Sequence, residues 1–248
     1  DRYAVIEIGM NAPGEVLPLG RIAQPQVGVI TNIGIAHLRD FGNREAIARE
    51  KASLLGVLPY NGRAVIPFRS PFDRIFREAS AAAHYVTFGE GEGADVRMTY
   101  HGPVANAFAF DLEWPAESVN VTVTWGLPGR IHAMNAAAAA AVVTGARGCI
   151  APEFVAKGLE GVALPSMRFE QQQIGGVYWI NDAYNANPDS ARAGVETFLE
   201  VSSSRRNGRR FLVLGDMLEL GDKQRGFHTR LLRWCRRRCP DCIVIAVG

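Results

Sequence analysis

The stretch 27-VGVITNIG-34 decides the fold. Its apolar residues run on without the alternation of a half-exposed strand, the pattern of a strand buried on both faces. The stretch 3-YAVIEIG-9 has the same character, with one glutamate inside it. GRAVIP (62–67) and YVTFG (85–89) read as a third and a fourth short strand. Helical patterns at 44–59 and 71–83 separate these strands. Strands alternating with helices predict an α/β fold with a mostly parallel sheet covered on both sides.

Further along the pattern changes. DVRMTYHG (95–102), AFAFDLEW (107–114) and SVNVTVTW (118–125) alternate with period two and predict a small antiparallel sheet added to the core. LPGR (127–130) reads as a turn, HAMNAAAAAAVVTGA (132–146) as a strong helix, and 152–158 as a short one. A domain boundary is expected near Leu164-Pro165-Ser166, giving domains 1–164 and 165–248. In the second, VYWIND (177–182), RRFLVLGDM (209–217) and CIVIAV (242–247) read as strands. Asn187 caps a helix with Pro188 at its first position, and 222–238 is a second helix. That order, β-α-β-α-β, predicts the start of a Rossmann-like α/β domain.

The bulk numbers exclude several classes. Apolar content of 48% and charged content of 21% are those of a globular protein. A net charge of +2 gives no reason to expect a nucleic-acid partner. The apolar runs are too short or too alanine-rich to insert in a membrane. Neither the number nor the clustering of Cys149, Cys235, Cys239 and Cys242 suggests a disulfide framework. Separate thiols in a reduced, cytoplasmic setting are expected. The Cys235-x3-Cys239-x2-Cys242 spacing, with His228 nearby, lacks the paired pattern of a structural zinc module. The basic clusters Arg205–Arg206, Arg209–Arg210 and Arg236–Arg238 read as solvated surface. Strands expected at both extremes of the chain suggest a piece of a longer protein. No G-x-x-x-x-G-K-[ST] phosphate loop occurs in the sequence.

One helix carries an anomaly. In 44-REAIAREKASLLGVLP-59, Ile47, Leu54, Leu55 and Leu58 form an apolar face, and Lys51 shares it. Only three of the 27 Lys and Arg residues are lysines. An unpaired buried ammonium costs several kcal/mol on the order of other buried ions. Lys51 can snorkel to solvent, pair with Glu7 or Glu50, or lose its proton and react as an amine with carbon dioxide. Ligands of open α/β sheets lie beyond the carboxyl ends of strands. Glu7, Asn32 and His37 are expected there in the first domain, and Asp182 and Asp216 in the second. Asp182 and Asp216 can equally be turn formers or helix caps. Arg168, at the domain junction, has the planar fork that suits a phosphate. Asn135 lies on one side of the alanine-rich helix.

Four segments carry a resemblance: VIEIGMNAPGEV (5–16), TNIGIAHLRDFGNREAIAREKASLL (31–55), INDAYNANPDSARA (180–193) and LGDMLELG (214–221). In order and over nearly the whole chain they resemble the Mur ligase family. They are most similar to its branch that joins D-Ala-D-Ala to UDP-N-acetylmuramoyl-tripeptide. The resemblance implies most of a central ATPase domain of P-loop type, without its phosphate loop, and part of a Rossmann-like C-terminal domain. It implies an ATP-dependent, ADP-forming ligase of peptidoglycan precursor synthesis that uses Mg2+ and an acyl-phosphate intermediate, cytoplasmic and monomeric. Motif match gives Glu7, His37 and Lys51 a catalytic and magnesium-holding role, with Lys51 as a carbamate. Asn135, His132, Arg168 and Asp182 match ATP-binding positions. Tyr184, Asn185 and Asn187 fall in the motif nearest the dipeptide. The family's His-Asn after Gly-Arg is replaced by Ile131-His132, so His132 is a substitute donor at most. Other readings are a ligase of folylpolyglutamate or cyanophycin synthetase type, and a non-catalytic nucleotide-binding protein on the same scaffold.

Overall fold

The computed structural model describes residues 3–144, 150–203 and 208–248. Cys149, the end of the helix predicted for 132–146, and the cluster Arg205–Arg206 lie outside these residues. Among the described residues no helix is long and apolar enough to cross a membrane.

The expected first strand is not formed. Residues 3–9 take no strand conformation, and Val5 is fully exposed. A buried-type strand needs a ladder partner on at least one side, and 3–9 has none among the described residues. The chain then enters helix α1 (Val16–Ala23), where a loop was expected. Pro18 and Gly20 read locally as breakers. Its first turn is capped from a distance: the Glu50 carboxylate accepts from Gly14 N and Val16 N, both at 2.9 Å. A carboxylate on the orphan N–H groups of a first turn is stabilising. It also removes Glu50 as a partner for Lys51.

Strand β1 (Val27–Val29) pairs in parallel with β2 (Arg63–Pro67), and β2 with β3 (His84–Gly89). Ile30 extends the first ladder by donating to Val65 O at 3.0 Å. Between them lie α2 (Leu38–Phe41), α3 (Arg44–Ala52) and α4 (Asp73–Ala79). Asn43 caps α3 as expected, accepting from Ala46 N at 2.9 Å. The helix predicted for 44–59 stops at Ala52 and tightens into a 3-10 turn at Leu55–Val57. The apolar face holds: Ile47, Leu55 and Leu58 are buried, and Leu54 is half-buried.

β4 (Val96–Val104), β5 (Ala107–Trp114) and β6 (Val119–Trp125) follow. They are added to the core sheet, as expected. All six strands belong to one sheet in the order β1-β2-β3-β4-β5-β6. β4 starts beside the end of β3, with Phe88 opposite Val96, and runs onward in the same direction. That stagger makes a parallel neighbour possible without a crossover helix. The two-residue turn Ala105-Asn106 joins β4 to β5, so this pair is a hairpin. Helix α5 (Arg130–Val143) comes next. Arg63 holds its C-terminal end, donating to Val142 O at 3.0 Å and to Thr144 O, where a cation meets the orphan carbonyls. A short 3-10 turn and α6 (Val155–Leu159) complete this part.

The remaining strands differ from expectation in one respect. β7 (Glu170–Ile174) and β8 (Val177–Asn181) form an antiparallel hairpin through Gly175-Gly176, both at positive φ. The polar run EQQQI hid β7 from the hydrophobic pattern. Among the described residues β8 pairs with β7 and not with the strands that follow. After α7 (Pro188–Ser202), β9 (Arg210–Leu214) pairs in parallel with β10 (Cys242–Ala246) across α8 (Gln224–Arg238). Val195 from α7, Leu212 from β9, and Leu231 and Cys235 from α8 form their core. Cys239 and Cys242 are joined as a disulfide, with Cα atoms 5.4 Å apart. The expectation of separate thiols therefore fails for this Cys-x-x-Cys pair, whose turn brings its ends together, and holds for buried Cys235.

The chain divides into two compact units. One comprises Asp1–Thr99, Asp111–Val121 and Met134–Val155; the other comprises Tyr100–Phe110, Thr122–Ala133 and Ala156–Gly248.

Candidate functional site

The residues expected to hold magnesium, Glu7, His37 and Lys51, all lie in the first unit. Glu7 is exposed on segment 3–9, which takes no strand conformation. His37 is half-buried in left-handed backbone (φ 59°), and its carbonyl starts α2 by accepting from Asp40 N and Phe41 N. Glu15 lies close enough to feel its charge. Among the described residues no three His, Cys, Asp or Glu side chains form a group that could hold a metal ion. A lysine carbamate is not counted among such groups, so the set Glu7, His37 and Lys51 stays an expectation, and no chemical step is derived through magnesium.

Lys51 lies in the last turn of α3. Its Nζ donates to Asn32 O at 3.2 Å and meets no carboxylate among the described residues. Neither predicted pairing is made. Burial lowers its pKa from the ordinary lysine value, because desolvation disfavours the charged form. An amine prepared in this way gives up its proton more readily than a surface lysine.

In the second unit the structure brings four of the expected residues together. The loop before β7 turns sharply, with Met167 (φ 61°) and Phe169 (φ 50°) both left-handed. Arg168 lies between them. Its guanidinium stacks on Tyr184, with Cζ 4.2 Å from the ring centroid. The backbone fixes the same pair, since Tyr184 N donates to Met167 O at 3.1 Å. Asp182, just beyond β8, accepts from Phe169 N at 3.1 Å. Burial raises its pKa, against the opposing pull of the Phe169 N–H and of Arg168. His132, in the first turn of α5, has its pKa lowered by burial and secondarily by the charge of Arg168. The guanidinium N–H edge makes no hydrogen bond among the described residues. A stacked, exposed guanidinium with its edge open suits a phosphate or a carboxylate. Asn135 is exposed on α5, one turn after His132.

Tyr184 and Asn185 are exposed. Asn187 is committed elsewhere: its Oδ1 accepts from Asp189 N at 3.0 Å and Ser190 N at 2.9 Å, while Ser190 Oγ accepts from Asn187 N. This capping box is the cap expected of Asn187; it occupies Oδ1 and leaves the amide nitrogen uncommitted among the described residues.

Gly194 on α7 was not singled out in the sequence. A Cβ there would lie 2.9 Å from Asp182 Oδ2. The glycine leaves room for the carboxylate to lie against the helix. A glycine in mid-helix, where alanine would be preferred, was the available signal.

Two family descriptions match this chain: Mur ligase middle domain at residues 1–143, and Mur ligase, glutamate ligase domain at 167–247. The chain belongs to the Mur ligase family. It is 36% identical over 233 residues to a UDP-N-acetylmuramoyl-tripeptide–D-alanyl-D-alanine ligase of Bacillus subtilis (strain 168), covering 91% of this chain and 47% of that protein. The ligase of the same name from Mycobacterium tuberculosis is 34% identical over 253 residues, covering 98% and 48%. Among solved Mur ligases, MurF from Acinetobacter baumannii superposes with a TM-score of 0.87 at 32% identity, over 100% of this chain and 52% of that one. MurF from Thermotoga maritima in complex with ADP gives 0.76 at 26%, over 95% and 53%. The chain spans about half the length of the curated relatives it matches.

Proposed function

We propose that this chain supplies part of the ATPase and acceptor machinery of a cytoplasmic, monomeric ligase that joins D-Ala-D-Ala to UDP-N-acetylmuramoyl-tripeptide. The reading rests on the named ligases at 34–36% identity across more than nine-tenths of this chain. Residues 1–164 would belong to the ATPase part and 165–248 to the C-terminal part. Bound ATP would supply the phosphoryl group that activates the tripeptide's terminal carboxylate for attack by the dipeptide amine.

The side chains have separable tasks. The Arg168 N–H edge would bind phosphate oxygens, with its orientation fixed by Tyr184 below and by left-handed residues on either side. Asn135 would meet the adenine with its amide. His132, kept neutral by burial and by Arg168, can offer both a donor and an acceptor. Asp182 would orient Arg168. Tyr184 and Asn185 would border the dipeptide. Lys51 would act as a carbamate, an anion formed where burial already favours the neutral amine. Its role with Glu7 and His37 toward magnesium would require those groups to come together.

The test uses the full-length protein and follows release of ADP and phosphate. Release is expected only when UDP-N-acetylmuramoyl-tripeptide and D-Ala-D-Ala are both supplied. Turnover with glutamate in place of the dipeptide would point to a different ligase and overturn the reading. The isolated 248-residue chain is expected to show no ligase turnover.

A further inference from the structure

The turn that starts α5 is fastened by groups far off in the sequence. Gly129, just before the helix, is buried and takes positive φ (91°). It lies against α7: a Cβ there would sit 2.3 Å from Thr197 Oγ1. A side chain suits neither that backbone nor that space. Thr197 is itself buried, with its hydroxyl donating to Ala193 O at 2.8 Å. The Gly129 N–H donates to Tyr100 Oη, on β4, at 3.2 Å. The Gly129 carbonyl accepts from His132 N, also at 3.2 Å.

Tyr100 passes the connection on. A backbone N–H can only donate, so Tyr100 Oη accepts from Gly129 and has its own proton to give. The two carboxylate oxygens of Glu200, in the fourth turn of α7, lie 3.0 and 2.9 Å away to receive it. Burial, and then Glu200, raise the Tyr100 pKa, so the hydroxyl keeps that proton. Gly102, two residues along β4, leaves room for the carboxylate. It too has positive φ (86°), and a Cβ on it would lie 3.0 Å from Glu200 Oε1. The result is one hydrogen-bonded chain, Glu200 to Tyr100 to Gly129 to His132, lying wholly within the second unit.

We infer that Tyr100 and Glu200 are positioning residues for the base of the bound nucleotide, acting through Gly129 on the turn that presents His132. This rests on the ligase reading above, in which His132 meets ATP. The geometry of α7 carries the inference. Gly194, Thr197 and Glu200 follow one another at helical spacing and share one side of that helix. Gly194 lies against Asp182, the carboxylate beside Arg168. Thr197 and Glu200 fix Gly129, directly and through Tyr100. One rigid helix therefore sets the distance between the phosphate-side guanidinium and the base-side imidazole. Cutting the chain at Tyr100 frees the turn at one end of that span and leaves Arg168 and Asp182 where they are.

The experiment measures kcat and KM of the full-length ligase for ATP, for GTP and for D-Ala-D-Ala. Wild type should prefer ATP to GTP. Tyr100→Phe removes one hydroxyl and leaves both Gly129 N and Glu200 without their partner. KM for ATP should rise about tenfold, with kcat and the dipeptide KM changed by less than about twofold. The ATP-over-GTP ratio of kcat/KM should fall by about as much, because a turn that no longer holds its place reads the base poorly. Glu200→Ala should behave like Tyr100→Phe, and Glu200→Gln, which keeps an acceptor for the hydroxyl, should recover most of the loss. The double variant Tyr100→Phe with Glu200→Ala should be no worse than either single one, since both cut the same chain. An unchanged ATP KM in Tyr100→Phe, additive losses in the double variant, or an ATP-over-GTP ratio that does not move overturns the inference while the ligase reading stands. A general loss, with kcat and dipeptide KM affected as strongly as ATP KM, reduces the two residues to fold stability and overturns it as well. No turnover of ATP by wild type with tripeptide and dipeptide substrates present overturns the ligase reading itself.

Discussion

Lys51 and Arg168 are both cations at candidate sites, and their surroundings are opposites. Lys51 lies on an apolar helix face with one carbonyl for company, and burial pulls its pKa down. Arg168 lies on a sharp loop, stacked on Tyr184, with Asp182 near enough to feel its charge. An amine so placed is prepared to lose its charge; a guanidinium cannot. The contrast teaches where charge is wanted. The fold keeps a permanent cation beside Asp182 and offers a convertible group beneath the loop that carries Asn32. Their assembly differs too. Arg168, Asp182 and Tyr184 lie within one short segment, which builds their geometry when the β7–β8 hairpin forms. A group of Glu7, His37 and Lys51 would depend on a strand at 3–9 that the described residues do not pair.

The sharpest test of the contrast is Lys51→Ala in the full-length enzyme. Activity should fall about 100-fold or more, the scale of losing one charge-stabilising group, and a short added carboxylate should restore part of it. Full activity would remove Lys51 from the chemistry. Stability should move the other way in Lys51→Met. A lysine pKa lowered by folding means that the unfolded chain binds more protons between the folded value and the ordinary lysine value. Stability therefore rises with pH across that window, and below it the ammonium is a net cost. Lys51→Met should raise the thermal midpoint at neutral pH and remove this slope; a lower midpoint would show that the amine stabilises the fold.

Arg168→Ala is next in size. Apparent affinity for ATP should fall about 30-fold, as expected for one charge-assisted, two-pronged contact. Arg168→Lys should recover little, because an ammonium neither stacks flat on Tyr184 nor presents a fork. Recovery by lysine would reduce Arg168 to a point charge.

Much of this was legible in the sequence, and the rest was not for identifiable reasons. β2, β3 and the three strands that follow obey period-two or continuous apolar patterns, and Asn43 and Asn187 cap the helices their positions suggest. Local chemistry settles such features. The capping of α1 by Glu50 acts across 34 residues, and no local pattern contains it. β7 is a polar strand whose pairing is set by the Gly175-Gly176 turn rather than by burial. The segment 3–9 shows the reverse failure, an apolar run that reads as a strand without the ladder that would make it one. At the site, residue types identified Arg168 and Asp182, whereas the stacking of Arg168 on Tyr184 needed coordinates. Asn187→Ala tests the locally legible kind: it should cost about 1 kcal/mol of stability by loss of a cap, measured by denaturant titration, with turnover per folded molecule little changed. A large loss of turnover at constant stability would return Asn187 to the substrate site.

Gly194→Ala gives the smallest effect and separates stability from function most cleanly. Glycine to alanine in a helix interior gains up to about 1 kcal/mol from propensity. The added Cβ would meet Asp182 Oδ2 at 2.9 Å, the far end of a side chain that can swing away at little cost to the fold. Swinging away, however, gives up the hydrogen bond from Phe169 N and moves a negative charge relative to Arg168. The thermal midpoint should hold or rise slightly, while KM for ATP rises about fivefold, roughly the weight of one displaced hydrogen-bonded partner. A fall in stability with ATP binding intact would mean that α7 needs the glycine for packing alone. A rise in KM that Asp182→Asn abolishes would instead tie the glycine to the Asp182 carboxylate and, through it, to the permanent cation on the loop.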